Sequence, residues 1–265
     1  MRHVLVVTHT GRADALAAAQ EVCGALLAAG VNPVMTRVEL EDHQRFANEQ
    51  VSPHASLEGV LVLGDDVPAD DIELAMVLGG DGTILKAAEI VREAQTPLLG
   101  INLGHVGFLA ESERDGLTDA VRRVVEKDYL VKERLALDVT VFVEGKEAFK
   151  TWALNEAAIE KSARERMLEV VVEVDHRPLS SFGCDGIVMS TPTGSTAYAF
   201  SAGGPVVWPS VQALLMVPLS AHALFARPLV INPDSSMAVE VLQRSAGHGV
   251  LWCDGRRTFE LAPGS

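Results

Sequence analysis

The run AMVLGGDGTILKAAEI, Ala75–Ile90, sets three glycines and one aspartate between an apolar stretch and a helix-like stretch. Glycines after a buried strand let the backbone approach a ligand closely. The helix that follows points unpaired N–H groups and the positive end of its dipole back at the loop. Gly79, Gly80, Gly82 and Thr83 therefore read as a phosphate loop. Asp81 does not suit phosphate, because two negative groups side by side repel. A different role must explain it, either holding a metal or taking a proton from an attacking hydroxyl. A plain Asp-Gly turn competes with this, but a hairpin turn leads into a strand and this segment leads into a helix. The loop lacks the Lys-Ser/Thr ending of a Walker loop and does not match GxGxxG.

A second candidate is CDGIVMSTPTGSTAYAFSAGGP, Cys184–Pro205. Thr191, Thr193, Ser195, Thr196 and Ser201 crowd hydroxyls around Gly194, and Tyr198 adds a phenol. Helix capping accounts for Ser195 alone; a polar pocket for a sugar or phosphate accounts for the set. Ser195 as a nucleophile lacks a G-x-S-x-G elbow and an evident His partner. A third candidate is LNEAAI, where Asn155 and Glu156 interrupt an apolar strand-like run. If buried, such a pair must be satisfied; if at a strand end, it is ordinary surface.

These segments need elements to hold them. HVLVVTH, LAMVLGG and PLLGIN read as buried parallel strands, and VNPVMTRVE as a further strand. DALAAAQEVCGALLAAG, TILKAAEIVREA and LTDAVRRVVEKD read as helices, the second burying Ile84, Leu85, Ala87, Ala88 and Val91. Residues 41–73 read as acidic and irregular apart from EGVLVLG. Alternating strands and helices imply an α/β N-terminal doubly wound domain. Near Asp128 the pattern changes to short runs with turn residues between them. RLALDVTVFVEG alternates with period two, CDGRR carries a hairpin signal, and a short helix falls near Thr196–Ala202. A mainly β C-terminal domain follows, giving domains 1–128 and 129–265.

Composition excludes several classes. The excess of 36 acidic over 22 basic residues argues against nucleic acid as a partner. No apolar run approaches a membrane span, and MRHVLVVTHTGR is too quickly polar for a signal peptide. The expected location is cytoplasmic. Cys23, Cys184 and Cys253 form no CxxC pair, and read as structural thiols rather than metal ligands.

Together, GGDGT (Gly79–Thr83), NLGHVGFLAE (Asn102–Glu111), LNE (Leu154–Glu156) and DGIVMSTPTGSTAYAFSAGGP (Asp185–Pro205) resemble the NAD kinase family in order and spacing. GGDGT alone is shared with lipid kinases and phosphofructokinases; TPTGSTAY with NE is specific. The resemblance implies transfer of the terminal phosphate of ATP, or of polyphosphate in some bacteria, to the 2′-hydroxyl of the adenosine ribose of NAD. It implies a divalent metal, usually Mg²⁺, a homodimer or homotetramer, and a site between the two domains. Asp81 matches the proton acceptor, and Gly82 and Lys86 match positions that touch the dinucleotide. Asn155 and Glu156 match the pair on a ribose and base, and Asp185 a carboxylate near the nicotinamide. Thr196, Ala197, Tyr198 and Ser201 match the adenine and ribose wall, and Arg166 matches a variable position. Asp254 and Gly255 match a late DG, followed here by Arg256 rather than Gln. The chain ends FELAPGS where relatives usually run on. A dinucleotide sensor without catalysis could lack Asp81, and a lipid kinase would usually present a basic or apolar face; neither fits as well.

Overall fold

The structure, a computed structural model, describes residues 1–9, 11–49, 57–103, 112–113, 116–163, 166–223 and 226–265. The chain divides into two compact units, Met1–Lys132 and Glu133–Ser265.

The first unit runs β1 (His3–Thr8), α1 (Ala13–Ala28), β2 (Asn32–Met35), α2 (Arg37–Glu49), β3 (Leu61–Val62), β4 (Leu74–Leu78), α3 (Asp81–Val91), β5 (Leu98–Asn102), β6 (Ser112–Glu113) and α4 (Leu117–Glu126). Its sheet has the order β3-β2-β1-β4-β5-β6, and every pairing is parallel. Alternation along β1 explains the two covering layers. Val4 and Val6 pack with α1 and α4 through Ala15, Leu26, Val121 and Val124. Leu5 and Val7 pack on the opposite side with Ile84, Ala87 and Val91 of α3. Both faces are buried, so β1 and β4 are continuously apolar. Burying one such side chain contributes about 1.5–3 kcal/mol. The doubly wound expectation holds. The strand order reverses between β1 and β4, and sheets of this kind bind ligands beyond the carboxyl ends of the strands at such a point. Gly79 begins the loop at that end of β4, beside Thr8 at the end of β1, which pairs with Leu78.

Helix α2 departs from expectation. The extended segment stops at Met35, and a helix fills part of the stretch expected to be irregular. Its start is a Thr-x-x-Glu capping pair. Thr36 Oγ1 accepts the Glu39 N–H at 3.3 Å and donates to Glu39 Oε2 at 2.8 Å. Among its described side chains the buried ones are Glu39 and His43, 0% and 3% exposed, so hydrophobic pattern does not mark this helix.

The second unit runs β7 (Leu137–Val143), β8 (Lys146–Ala153), β9 (Glu156–Lys161), β10 (Leu168–Val174), β11 (Arg177–Cys184), β12 (Gly186–Ser190), α5 (Tyr198–Ser201), β13 (Leu214–Leu219), β14 (Leu229–Ile231), β15 (Met237–Val241), β16 (Gly249–Cys253) and β17 (Arg257–Leu261). A six-stranded antiparallel sheet, β14-β13-β12-β9-β16-β17, joins a three-stranded sheet, β11-β10-β15, and the β7-β8 hairpin. Their shared core includes Ile159, Ile187, Leu251, Val170, Val172, Leu137 and Val141. On β9 the period of two sends Ala157 and Ile159 into this core and Ala158 to the other face, under Ala199 and Tyr198. Glu156 and Glu160 share that second face by register. Trp252 of β16 lies directly opposite Ala158.

The expected strand through Asn155 and Glu156 is broken. β8 ends at Ala153, β9 begins at Glu156, and residues 154–155 form a bend between them. CDGRR does form the expected hairpin turn, with Asp254 and Gly255 at φ of 53° and 65°.

Candidate active site

In the first unit the GGDGT loop is built by strand termination and a helix start. The Gly79 N–H donates to the Ile101 carbonyl at 3.0 Å, closing the sheet end. A Cβ on Gly79 would lie 2.5 Å from Thr83 Oγ1, so packing admits only glycine there. The N–H groups of Thr83 and Ile84 donate to the Gly80 carbonyl at 2.9 and 3.2 Å. Asp81 is the first residue of α3. Its carboxylate sits at the positive helix end, where negative charge is favoured. Gly80 and Gly82 have open space where a Cβ would be, leaving the backbone approachable.

Lys86, also on α3, sits 2.9 Å from Glu39 Oε1. That carboxylate is fully buried, and it also accepts the Thr8 N–H at 3.3 Å. Glu39 thus ties α2, the end of β1 and α3 together behind the loop. Lys86 stays one-third exposed, and a lysine has three donors. Glu39 is a residue that sequence reasoning missed, although T-R-V-E at 36–39 is a legible capping signal.

In the second unit one side chain takes up the N–H groups of the Leu154–Asn155 bend. The Asp254 carboxylate accepts N–H groups from Leu154 at 2.9 Å and Asn155 at 2.7 Å, and more weakly from Glu156 at 3.4 Å. Arg257 donates to the same carboxylate at 2.7 Å and lies over the Trp152 ring at 4.6 Å. From the opposite side, a Cβ on Gly194 would lie 2.0 Å from the Asn155 carbonyl oxygen, so the TPTGST segment and the bend are in backbone contact.

The bend leaves acceptors unused. Among the described residues, Asn155 Oδ1 and Glu156 Oε2 are buried without a hydrogen-bond partner. Burial, and secondarily the charge of Asp254, push the Glu156 carboxyl up to about 7, against the backbone N–H of Tyr198 that stabilises its anion. Beside it lies a cavity of about 190 Å³ lined by Glu156, Ala158, Glu160, Tyr198, Trp252 and Gly255. The Tyr198 hydroxyl donates to Glu160. Burial raises that phenol to about 12, with the Glu160 hydrogen bond next in effect. Glu160 and Trp252 were not anticipated. The period-two spacing of Glu156, Ala158 and Glu160 was the available signal.

The hydroxyl-rich loop works differently from expectation. Thr191 Oγ1 donates to the Leu154 carbonyl at 2.6 Å and accepts the Gly194 N–H at 3.1 Å. Ser190 Oγ reaches the Asn155 carbonyl at 3.1 Å. Ser195 is fully buried, donates to the Pro192 carbonyl at 2.7 Å and accepts the Val207 N–H at 2.9 Å. Thr196 points back to the Thr193 carbonyl at 3.4 Å. Most of these hydroxyls close the loop on itself and on the Asn-Glu bend, and none of them lines the cavity beside Glu156.

The remaining candidates are dispersed. Asp185 pairs with Lys161 at 2.5 Å. That bond holds its carboxyl below the usual carboxylate range against desolvation, with the Ser220 hydroxyl adding to it. Its charge is felt by the Tyr198 phenol. Ala197 is half-buried beside the cavity residue Tyr198, and Ser201 is exposed at the end of α5. Arg166 donates to the Ala246 carbonyl at 2.7 Å and lines no part of the cavity. Of NLGHVGFLAE, residues 104–111 lie outside the described residues. Cys23, Cys184 and Cys253 are buried, and burial raises their thiols to about 12, 11 and 12. Among the described residues no group of three His, Cys, Asp or Glu could hold a metal, and no helix is long and apolar enough to cross a membrane.

Comparison with known proteins supplies the family. Residues 4–129 match the ATP-NAD kinase N-terminal domain, and residues 154–265 match the ATP-NAD kinase C-terminal domain. A NAD kinase of Leifsonia xyli subsp. xyli is 61% identical over 264 residues, covering 100% of this chain and 84% of that protein. A NAD kinase of Thermobifida fusca is 57% identical over 268 residues, covering 100% and 80%. Among solved structures, a yeast NADH kinase complexed with NADH superimposes with a TM-score of 0.85 at 24% identity, over 100% of this chain and 78% of the other, which speaks to the fold. With both domain models matched across most of its length and relatives above half identity, this chain belongs to the NAD kinase family.

Proposed function

We propose that the protein transfers the terminal phosphoryl group of ATP to the 2′-hydroxyl of the adenosine ribose of NAD, giving NADP and ADP. The observation that carries this reading is the pair of buried, unpartnered acceptors, Asn155 Oδ1 and Glu156 Oε2, next to an aromatic-walled cavity. A buried acceptor without a partner costs about 1–3 kcal/mol. A ribose supplies the missing donors. Tyr198 and Trp252 offer ring surface for the base, with Thr196, Ala197 and Ser201 on the adjoining segment. Asp185 is assigned to the nicotinamide end. Arg166 is kept as a peripheral contact, since its guanidinium is already used at Ala246.

In the reaction the 2′-oxygen forms a bond to the γ-phosphorus as the bond to the bridging oxygen of ADP breaks. The 2′-hydroxyl proton passes to Asp81. The phosphate oxygens face the amides of Gly80 and Gly82 and the positive end of α3, while Lys86 adds charge beside them. Phosphoryl transfer passes through a loose transition state, so the protein contributes mainly position and charge. Magnesium supplies neutralisation of the phosphate charge when bound. With no three-ligand protein cluster among the described residues, the donor set fits an ion held chiefly by nucleotide phosphates and water. Polyphosphate as an alternative donor, a homodimer or homotetramer, and a cytoplasmic location belong to the same proposal by family likeness. We assign the phosphate loop to domain 1–128 and the dinucleotide pocket to domain 129–265.

The test is an initial-rate assay with ATP, Mg²⁺ and NAD, reading NADP with an NADP-specific dehydrogenase. NADP formation dependent on all three supports the assignment. No NADP, or equal label transfer from ATP to diacylglycerol, overturns it.

A further inference from the structure

We infer that Asp254 is a positioning residue for dinucleotide binding, acting through the Asn155–Glu156 bend rather than by touching substrate. This rests on the NAD kinase reading above. The side chain of Asp254 is 1% exposed, and its two oxygens are taken by Leu154, Asn155 and Arg257 at 2.7–2.9 Å. Those N–H groups are withheld from any strand partner, which is why the β8–β9 run breaks where it does. The break takes Asn155 out of the strand ladder, sets Glu156 at the first paired position of β9, and leaves Asn155 Oδ1 and Glu156 Oε2 without protein donors. Asp254 can do this because it sits at positive φ in the β16–β17 turn, one residue beyond Cys253, which pairs with Ala157 of β9. The short turn therefore brings its carboxylate under the bend. Arg257 compensates the charge, and Trp152 and Thr151 hold Arg257 in place.

The groups that bear on Glu156 are Asp254, Arg257 behind it, the Cys253 thiol, Glu160 on the same face of β9 and Tyr198 above. Asp254 thus has two effects: it shapes the bend, and its charge opposes ionisation of Glu156. Asp254→Asn separates both from general folding. The amide fits the same space but places an N–H₂ against a backbone N–H or against Arg257, donor facing donor. The expected result is a KM for NAD raised about tenfold or more, within the range of about 5- to 150-fold for an unpaired buried group. KM for ATP should stay within about twofold. Damage to folding alone would lower the active fraction and leave both KM values unchanged.

A second variant keeps the inference testable if Asp254→Asn does not fold. Arg257→Gln leaves the Asp254 carboxylate on the bend but removes its compensating charge. The pH midpoint of NAD binding should then move up, whereas Asp254→Asn should move it down. Unchanged NAD affinity and midpoint in folded Asp254→Asn, or no midpoint shift in Arg257→Gln, would overturn the role of Asp254. Absence of NADP formation by the unmodified protein would instead overturn the reading on which it rests.

Discussion

Replacing Glu156 with Gln should stabilise the folded protein at alkaline pH while weakening its hold on NAD. The Glu156 carboxyl is moved from an ordinary 4.5 to about 7, first by burial and then by Asp254. The folded state therefore holds its proton more tightly than the unfolded chain. The stability that the neutral acid contributes is full below 4.5 and is lost as pH rises through about 7. Moving a carboxyl from 4.5 to about 7 corresponds to about 3 kcal/mol, at 1.36 kcal/mol for each pH unit, as an upper bound. Glutamine has the shape of the neutral acid and does not ionise. Denaturant unfolding of both proteins at pH 5 and pH 8.5 should give nearly equal stabilities at the lower pH. At the higher pH Glu156→Gln should be more stable by up to about 3 kcal/mol. Titration with NAD should show the opposite sign, because ribose hydroxyls lose an ionised acceptor. Stability gained where binding is lost marks a site kept for ligand. A pH-independent difference, or a less stable variant at pH 8.5, would refute the burial argument.

Other substitutions test the rest of the site. Asn155→Ala should weaken NAD binding by about 1–3 kcal/mol in calorimetric titration, and unchanged affinity would leave Asn155 a structural residue. Gly194→Ala places a methyl group 2.0 Å from the Asn155 carbonyl oxygen, so denaturant unfolding should show a loss of stability and titration a loss of NAD affinity; overpacking of this kind costs about 1–3 kcal/mol. Initial rates at equal ATP and Mg²⁺ should favour NAD well above AMP and adenosine, which lack the half assigned to Asp185. Asp185→Asn should narrow that preference, and comparable rates in the unmodified protein would end the assignment.

Much of this fold is legible in the residues alone. β1, β4 and β5 are apolar because the parallel sheet buries both faces, and α1, α3 and α4 carry apolar stripes, so periodicity finds them. It does not find α2, whose buried face holds Glu39 and His43. A capping pair at Thr36 and Glu39 announces that helix, while hydrophobic pattern does not. Asn155 and Glu156 stand out as polar residues in an apolar run, but the break between Ala153 and Glu156 does not. It depends on a carboxylate about a hundred residues further along, and only long-range contact brings Asp254 there. The hydroxyls of residues 190–196 mislead for a related reason. Composition marks them as polar, yet their partners are backbone carbonyls that only the closed loop supplies. Local sequence thus records helix starts, turns and strand periods, and is silent on which polar groups satisfy one another across the fold.

The proposed mechanism turns on Asp81 taking the proton of the acceptor hydroxyl at the start of α3. Asp81→Asn isolates that step, with kcat measured at saturating ATP and NAD and NAD affinity measured separately by calorimetry. The expected result is a fall in kcat of about 10²- to 10⁴-fold, with NAD affinity within about twofold of the unmodified protein. A loss of only a few-fold in kcat, or a loss of activity that merely follows a loss of NAD binding, would contradict it.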